Sequence, residues 1–100
     1  MVVALAAEAK PLVEHWHMTR DSTVSSFPIF VNSDGTHWLI QCGVGKIVAA
    51  TAVGFLAQRA QATKNDAWLN IGIAGSATHS LGTLIIGHKI SDAGGLRNWY

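Results

Sequence analysis

Residues 37–50 read HWLIQCGVGKIVAA, a run in which β-forming residues give way to two glycines and then to an apolar helical pattern. Glycine at a strand-to-helix turn lets the backbone bend sharply or approach a ligand closely. The run therefore predicts a buried strand that passes directly into a helix, the unit from which α/β folds are built. From residue 46 to about residue 62 the pattern is apolar on nearly every side, which predicts a buried helix.

Upstream of this run the hydrophobic pattern predicts a strand, a helix and another strand. Residues 2–5 form a short apolar run typical of a buried strand, and residues 8–17 follow with a helical pattern in which Pro11 lies near the first turn. Residues 27–32 and 37–42 are β-rich and are separated by a segment containing Asp34-Gly35. Because this step is a strong hairpin signal, we expect the two strands to be antiparallel.

Downstream, residues 67–73 predict a strand, residues 74–76 a turn of small residues, and residues 84–90 a further strand interrupted by Gly87. This order predicts an α/β fold with a mixed central β-sheet flanked by helices. About five strands share only two predicted helices, and the sequence ends on Trp99-Tyr100 with no closing helix. We therefore expect residues 1–100 to be the N-terminal part of a single, apparently truncated domain whose apolar surface is covered by more chain or by a partner.

Composition excludes several classes of function. The chain has 49% hydrophobic and 13% charged residues, which is too apolar for a disordered segment, and its net charge of +1 provides no broad field for nucleic acid or an anionic membrane. The longest apolar stretch is shorter than the roughly 20 residues that a membrane span needs. A single cysteine, Cys42, excludes an internal disulfide and fits a reducing, cytoplasmic environment.

The glycine pair at 43 and 45 does not match either of two well-known phosphate-binding motifs. A dinucleotide fingerprint requires a third glycine where the chain has Val48. A P-loop requires glycine where the chain has Ile40 and a hydroxyl residue where it has Ile47. The histidines do not have metal-ligand spacing, so the sequence predicts neither a metal site nor a cofactor.

Three blocks of sequence together carry a family likeness. They are ALAAEAKPLV at residues 4–13, GVGKIVAA at residues 43–50 and NIGIAG at residues 70–75. In order and spacing the chain resembles the N-terminal portion of the nucleoside-phosphorylase superfamily, and within it the methylthioadenosine/S-adenosylhomocysteine nucleosidases. The resemblance implies a phosphorylase/hydrolase-like three-layer sandwich, a purine nucleoside as ligand, no cofactor and a homodimer.

The resemblance also implies roles for individual residues. Glu8 would lie beside the ribose and the attacking water, where a carboxylate orients water, accepts its proton and favours the positive charge of an oxocarbenium-like state. Val44 would line the ribose or its 5′ substituent. Ile73, Ala74 and Gly75 would lie where the chain passes the nucleoside, and Gly43 and Gly45 would form the structural turn.

Each of these roles has an alternative. Glu8 is also typical of a carboxylate near a helix N-terminus, and Val44 and Ile73 are also typical of core residues.

The reaction could use phosphate instead of water, but the arginines do not lie in glycine turns, which favours a hydrolase. A catalytically silent nucleoside-binding relative is the third possibility. In the family the acid that protonates the leaving base comes from the C-terminal portion, so we expect residues 1–100 by themselves to be inactive.

Overall fold

The computed structural model describes residues 1–94 and the backbone of residues 98–99. Among these residues, four strands form a mixed sheet in the order β1-β4-β3-β2, in which β1 and β4 are parallel and the other pairs antiparallel. The four strands are β1 (Val2–Val3), β2 (Thr19–Arg20), β3 (Ile29–Val31) and β4 (Trp38–Gln41). A separate antiparallel pair consists of β5 (Ile90–Ser91) and β6 (Asn98–Trp99).

The predicted antiparallel pair is confirmed as β3 and β4, with Ile29 opposite Ile40 and Val31 opposite Trp38. The connecting turn places Gly35 at a φ of 69°, a left-handed conformation that favours glycine. The side-chain oxygen of Asn32 accepts hydrogen bonds from two backbone amides at the far end of the turn. These bonds close the turn and set the pairing of the two strands.

Two helices pack on opposite faces of the sheet, which confirms the prediction of a mixed sheet flanked by helices. Helix α1 (Ala6–His15) shares a core with Val3 and Leu39, whereas helix α2 (Lys46–Arg59) shares a separate core with Val2 and Ile40. Neighbouring strand residues point to opposite faces, so β1 and β4 each contribute apolar side chains to both cores.

Helix α1 begins two residues earlier than predicted, at Ala6 instead of Glu8. Pro11 therefore lies inside the helix, where it cannot donate the usual backbone hydrogen bond to the carbonyl of Ala7. The helix ends at His15, and the chain then turns through His17, whose φ is 49°. Met18 follows as a buried residue and completes the α1 core.

The prediction that α2 is buried is wrong for the chain as the structure describes it. Within this fully described helix, Ala52 and Leu56 are the buried residues, while Ile47 is 80% exposed and Val48 39% exposed. A helix on the outside of a sheet contacts it along one stripe only. Small and apolar residues continue on the other sides of α2 without a partner among the described residues.

The predicted strands of the second half are largely absent from the described residues. Residues 67–73 pair with β1 through a single parallel bridge, between Val2 and Asn70, because β1 is only two residues long. Residues 74–76 form no assigned turn, and of the predicted strand at 84–90 only Ile90 belongs to a strand. Leu84 and Ile86 are 90% and 88% exposed, so this segment lacks the neighbouring strand and the burial that would hold it extended.

The helices are too short to span a bilayer. They have 10 and 14 residues, against the roughly 20 that a crossing requires. No helix in the described part of the chain combines the length and hydropathy of a membrane span.

The contrast within α2 gives a stability test. Leu56 is 2% exposed, so Leu56→Ala removes packed atoms and should lower the free energy of unfolding by about 2–5 kcal/mol. Ile47→Ala, at a position that is 80% exposed, should change it by about 0.5 kcal/mol or less. Urea unfolding followed by circular dichroism measures both. Equal losses would show that Ile47 is buried in solution.

Candidate functional site

Three segments of the chain run in the same direction and end at one edge of the sheet. Strands β1 and β4 are parallel, and residues 69–71 continue this arrangement on the other side of β1. The backbone of the segment after β4 stays attached to β1, since Cys42 donates to the carbonyl of Val3 at 2.8 Å and Gly43 donates to that of Ala4 at 3.0 Å. The three segments that follow these strands therefore meet at the carboxyl edge of the sheet, where α/β proteins bind their ligands.

The carboxylate of Glu8 lies at this edge and accepts three hydrogen bonds from backbone amides. Its Oε2 atom accepts from the amides of Ala4 and Leu5, both at 2.9 Å. Its Oε1 atom accepts from the amide of Ile73 at 3.1 Å, across 65 residues of sequence. One side chain therefore joins the end of β1, the start of α1 and the segment after Asn70.

The position of Glu8 in its helix explains two of these bonds. The first amides of a helix have no partner within the helix, and a glutamate in the first turn can accept from the amide at the helix start. In a capping box, the side chain of the N-cap residue and the glutamate three residues later each accept a hydrogen bond from the other residue's amide. The N-cap residue here is Leu5, which has no side-chain acceptor, so only the bond from its amide to Glu8 is possible. The carboxylate is also favourably placed with respect to the helix dipole.

These hydrogen bonds lower the pKa of Glu8 below its ordinary value of 4.5. The largest contribution comes from the Ile73 amide, followed by the Leu5 amide, while desolvation acts in the opposite direction and exceeds the contribution of the Ala4 amide. The carboxylate is therefore ionised at neutral pH and is a weak proton acceptor. Its fixed negative charge is better suited to stabilising positive charge on a nearby ligand.

The other residues predicted for the site lie near the same edge but are not equally close to Glu8. Val44 is 78% exposed and Ile73 is 84% exposed, so neither is a core residue among the described residues. Gly43 and Gly45 have φ values of 87° and 119°, which residues with side chains rarely adopt. The structural turn is thus present, and it presents Val44 to solvent.

A hollow of about 270 Å³ lies between α1 and the segment after Asn70. Glu8 and Ile73 line this hollow, whereas Val44, Ala74 and Gly75 do not. Its volume is slightly below that of typical small-molecule pockets, which suits a fragment the size of a sugar. The residues that line it are Leu5, Ala7, Glu8, Pro11, Leu12, Ile71, Gly72 and Ile73.

Sequence reasoning missed the part that Gly72 plays in this site. A Cβ atom at Gly72 would lie 2.9 Å from Glu8 Oε1, closer than real contacts allow. A side chain at this position would therefore displace the Glu8 carboxylate from the Ile73 amide, whereas the backbone conformation does not require glycine, since Gly72 is not among the glycines with positive φ. The glycine in the block NIGIAG was the available signal, but sequence gives no indication of which side chain lies against it.

An ion pair between Lys46 and Asp92 was also missed. The Lys46 ammonium lies 2.8 and 2.9 Å from the two carboxylate oxygens of Asp92, and this contact, with a further bond from the Gly94 amide, lowers the pKa of Asp92. The pair attaches the first turn of α2 to the segment after β5. No local pattern predicts it, because the two residues are 46 positions apart.

The described residues contain no group of three or more His, Cys, Asp or Glu side chains that could hold a metal ion. Cys42 is buried, and its thiol donates to the carbonyl of Gly43 at 3.1 Å. His79 contacts the hydroxyls of Ser76 and Thr78, which are its neighbours in sequence. The thiol of Cys42 and the ring of His79 therefore form hydrogen bonds with residues close to them in sequence.

No model of a known protein family, no curated protein sequence and no solved structure matches the chain.

The lowered pKa of Glu8 predicts a dependence of stability on pH. Because the pKa is lower in the folded state, ionised Glu8 stabilises the fold fully above about pH 4.5, and this stabilisation is lost as the pH falls through the folded-state pKa. The difference in urea midpoint between the natural protein and Glu8→Gln should be present at neutral pH and shrink in acid. Glu14→Gln, an exposed change on the same helix, serves as the control. A difference that stays constant with pH would contradict the assignment.

The contact with Gly72 gives a second test of the same arrangement. Gly72→Ala should force Glu8 away from the Ile73 amide and lower the urea midpoint of unfolding, because the hydrogen bond between them is lost. Gly75→Ala is the matched control, because a Cβ there meets nothing within 4 Å. Hydrogen exchange at the Ile73 amide should accelerate in the first variant only. If the two variants behave alike, the contact between residue 72 and Glu8 does not contribute to stability.

Proposed function

We propose that the chain provides the sugar-binding side of a nucleosidase active site, in a protein that hydrolyses the N-glycosidic bond of a purine nucleoside of the methylthioadenosine or S-adenosylhomocysteine type. The observation that carries the proposal is the Glu8 carboxylate, held at the carboxyl edge of the parallel strands and lining a sugar-sized hollow with Ile73. The proposed architecture is a phosphorylase/hydrolase-like three-layer sandwich.

Cleavage of an N-glycosidic bond develops positive charge on the sugar ring. A carboxylate fixed by three amides needs no reorganisation to face that charge, which is the condition for electrostatic stabilisation of a transition state. Its lowered pKa makes it a poor base. In this proposal Glu8 therefore orients the attacking water and stabilises the cation, and it accepts the water's proton only late in the reaction.

The remaining predicted residues would then form the rim of the site. Val44 is exposed on the glycine turn after β4, where it is available to contact a ribose or its 5′ substituent. Ala74 and Gly75 follow Ile73 directly and are exposed, so their backbone is open to the base. Small residues at these positions suit a ligand that must approach the backbone closely.

Hydrolysis is favoured over phosphorolysis by the state of Lys46. This is the first residue of α2, directly after the glycine turn, and it is the cation nearest in sequence to the turn. Its ammonium is already paired with both oxygens of Asp92. A phosphate at this turn would have to compete with that carboxylate, whereas water would not.

A catalytically silent nucleoside-binding relative is the second candidate, and a specific observation favours it. All three hydrogen bonds of Glu8 go to the protein's own backbone and join three segments of the fold. A glutamate retained purely to hold these segments would make the same contacts. The two candidates therefore differ in what Glu8 does when a nucleoside is present.

We further propose a cytoplasmic homodimer. Ile47 and Val48 are exposed apolar side chains in the first turn of α2, of the kind that subunits bury. One cysteine, buried and reduced, fits the cytoplasm.

The test is adenine release from methylthioadenosine by the full-length protein, with and without added phosphate. Glu8→Gln should lower turnover by about 100-fold or more, because loss of one preorganised electrostatic contact to a transition state costs that much, while binding of the nucleoside changes little. Glu14→Gln, exposed on the same helix, should retain full turnover.

Unchanged turnover in Glu8→Gln would refute the role of Glu8. Binding of methylthioadenosine with no adenine release from the natural protein would favour the silent relative. A requirement for phosphate would make the protein a phosphorylase.

A further inference from the structure

A larger cavity, of about 600 Å³, lies at the opposite edge of the sheet from Glu8. Its lining includes residues at the amino ends of the parallel strands, namely Met1 before β1, Trp38 at the start of β4 and Leu69 before the Asn70 bridge. The volume falls within the range of small-molecule sites. None of the residues that line this cavity also lines the hollow beside Glu8.

Aromatic side chains are concentrated around this cavity. Three of the four tryptophans, Trp16, Trp38 and Trp68, line it together with His37. Trp16 is stacked on His37 with ring centroids 5.2 Å apart and planes inclined by 21°. Trp38 is fixed by a hydrogen bond from its Nε1 to the Gly35 carbonyl at 3.0 Å. Trp16, His37 and Trp38 are thus held in place by contacts with the protein itself.

Trp68 differs from the other two tryptophans because the core does not account for it. Trp16 packs against the α1 core and Trp38 against the α2 core, but Trp68 belongs to neither and is 41% exposed. A large apolar ring on the wall of an open cavity loses much of the free energy that burial would provide. A flat ligand stacked on it would recover that free energy.

Asp66 supplies a polar group to the same cavity. Its Oδ2 atom accepts from the Thr63 amide at 2.6 Å and from the Thr63 hydroxyl at 3.0 Å, while Oδ1 has no hydrogen-bond partner among residues 1–94. The carboxylate is therefore fixed in position and has an acceptor available for an N–H group.

We propose that this cavity binds a planar heteroaromatic compound with an N–H donor, which stacks on Trp68 and donates to Asp66. The chemistry is that of base recognition on aromatic side chains, in which stacking provides affinity and one hydrogen bond fixes orientation. The site is separate from the proposed nucleosidase site and does not depend on it.

The experiment is a titration of the ¹⁵N-labelled full chain with benzimidazole, a flat fused ring with an N–H donor, followed by nuclear magnetic resonance. The indole signals of Trp16 and Trp68 should shift and saturate. Trp68→Leu should weaken binding by about tenfold or more, as loss of a stacking surface does. Asp66→Asn should weaken it by a smaller factor. Glu8→Gln, at the other edge, should leave benzimidazole binding unchanged.

Cyclohexylmethanol, which is apolar but not flat, is the control ligand and should not saturate these signals. Equal binding of the two compounds, or full benzimidazole affinity in Trp68→Leu, would overturn the proposal. The amide spectrum of each variant away from the cavity reports whether the fold is retained, and Asp66→Asn tests the site without changing the aromatic walls. The two proposals can fail separately. The nucleosidase proposal fails if Glu8→Gln leaves turnover unchanged, and that outcome does not change the result expected with benzimidazole.

Discussion

Strand β1 consists of Val2 and Val3, and its backbone is hydrogen-bonded on both sides. On one side it pairs with β4, and on the other Val2 exchanges two hydrogen bonds with residues 69–71. The two valines also send one side chain into each core. The positions of both proposed sites follow from this strand, because one cavity lies beyond its carboxyl end and the other before its amino end.

In the proposed nucleosidase site, Glu8 would have both a structural and a chemical role. Three amides orient its carboxylate and keep it ionised, and the same contacts attach the segment containing Ile73 to the rest of the fold. These amides supply in advance the organisation that an electrostatic catalyst needs. They also reduce its basicity, so the geometry suits stabilisation of charge better than removal of a proton.

Local signals in the sequence were sufficient for the features that depend on neighbouring residues. Asp34-Gly35 predicted the hairpin, and Gly45 before Lys46 predicted the start of α2. The strand predicted at 84–90 failed because hydrophobic pattern cannot say whether a partner strand is present. The contacts Glu8–Ile73 and Lys46–Asp92 join residues 65 and 46 positions apart, so no local rule could find them. The family likeness placed Glu8 and Ile73 near one site, but it did not predict their hydrogen bond.

The identity of the two residues in β1 has a consequence for alignment. A slip of one position normally moves a strand's apolar side chains to the wrong face, and this penalty fixes strand alignment in most sheets. In β1 a slip would bring one valine into the place of the other, with Met1 or Ala4 in the second position, so one of the two core positions keeps a valine and the side chains discriminate less than usual. The bond from the Ile73 amide to Glu8 joins the start of α1 to the segment beside β1, so a slip of β1 against that segment would break it, and the carboxylate thereby favours the observed alignment.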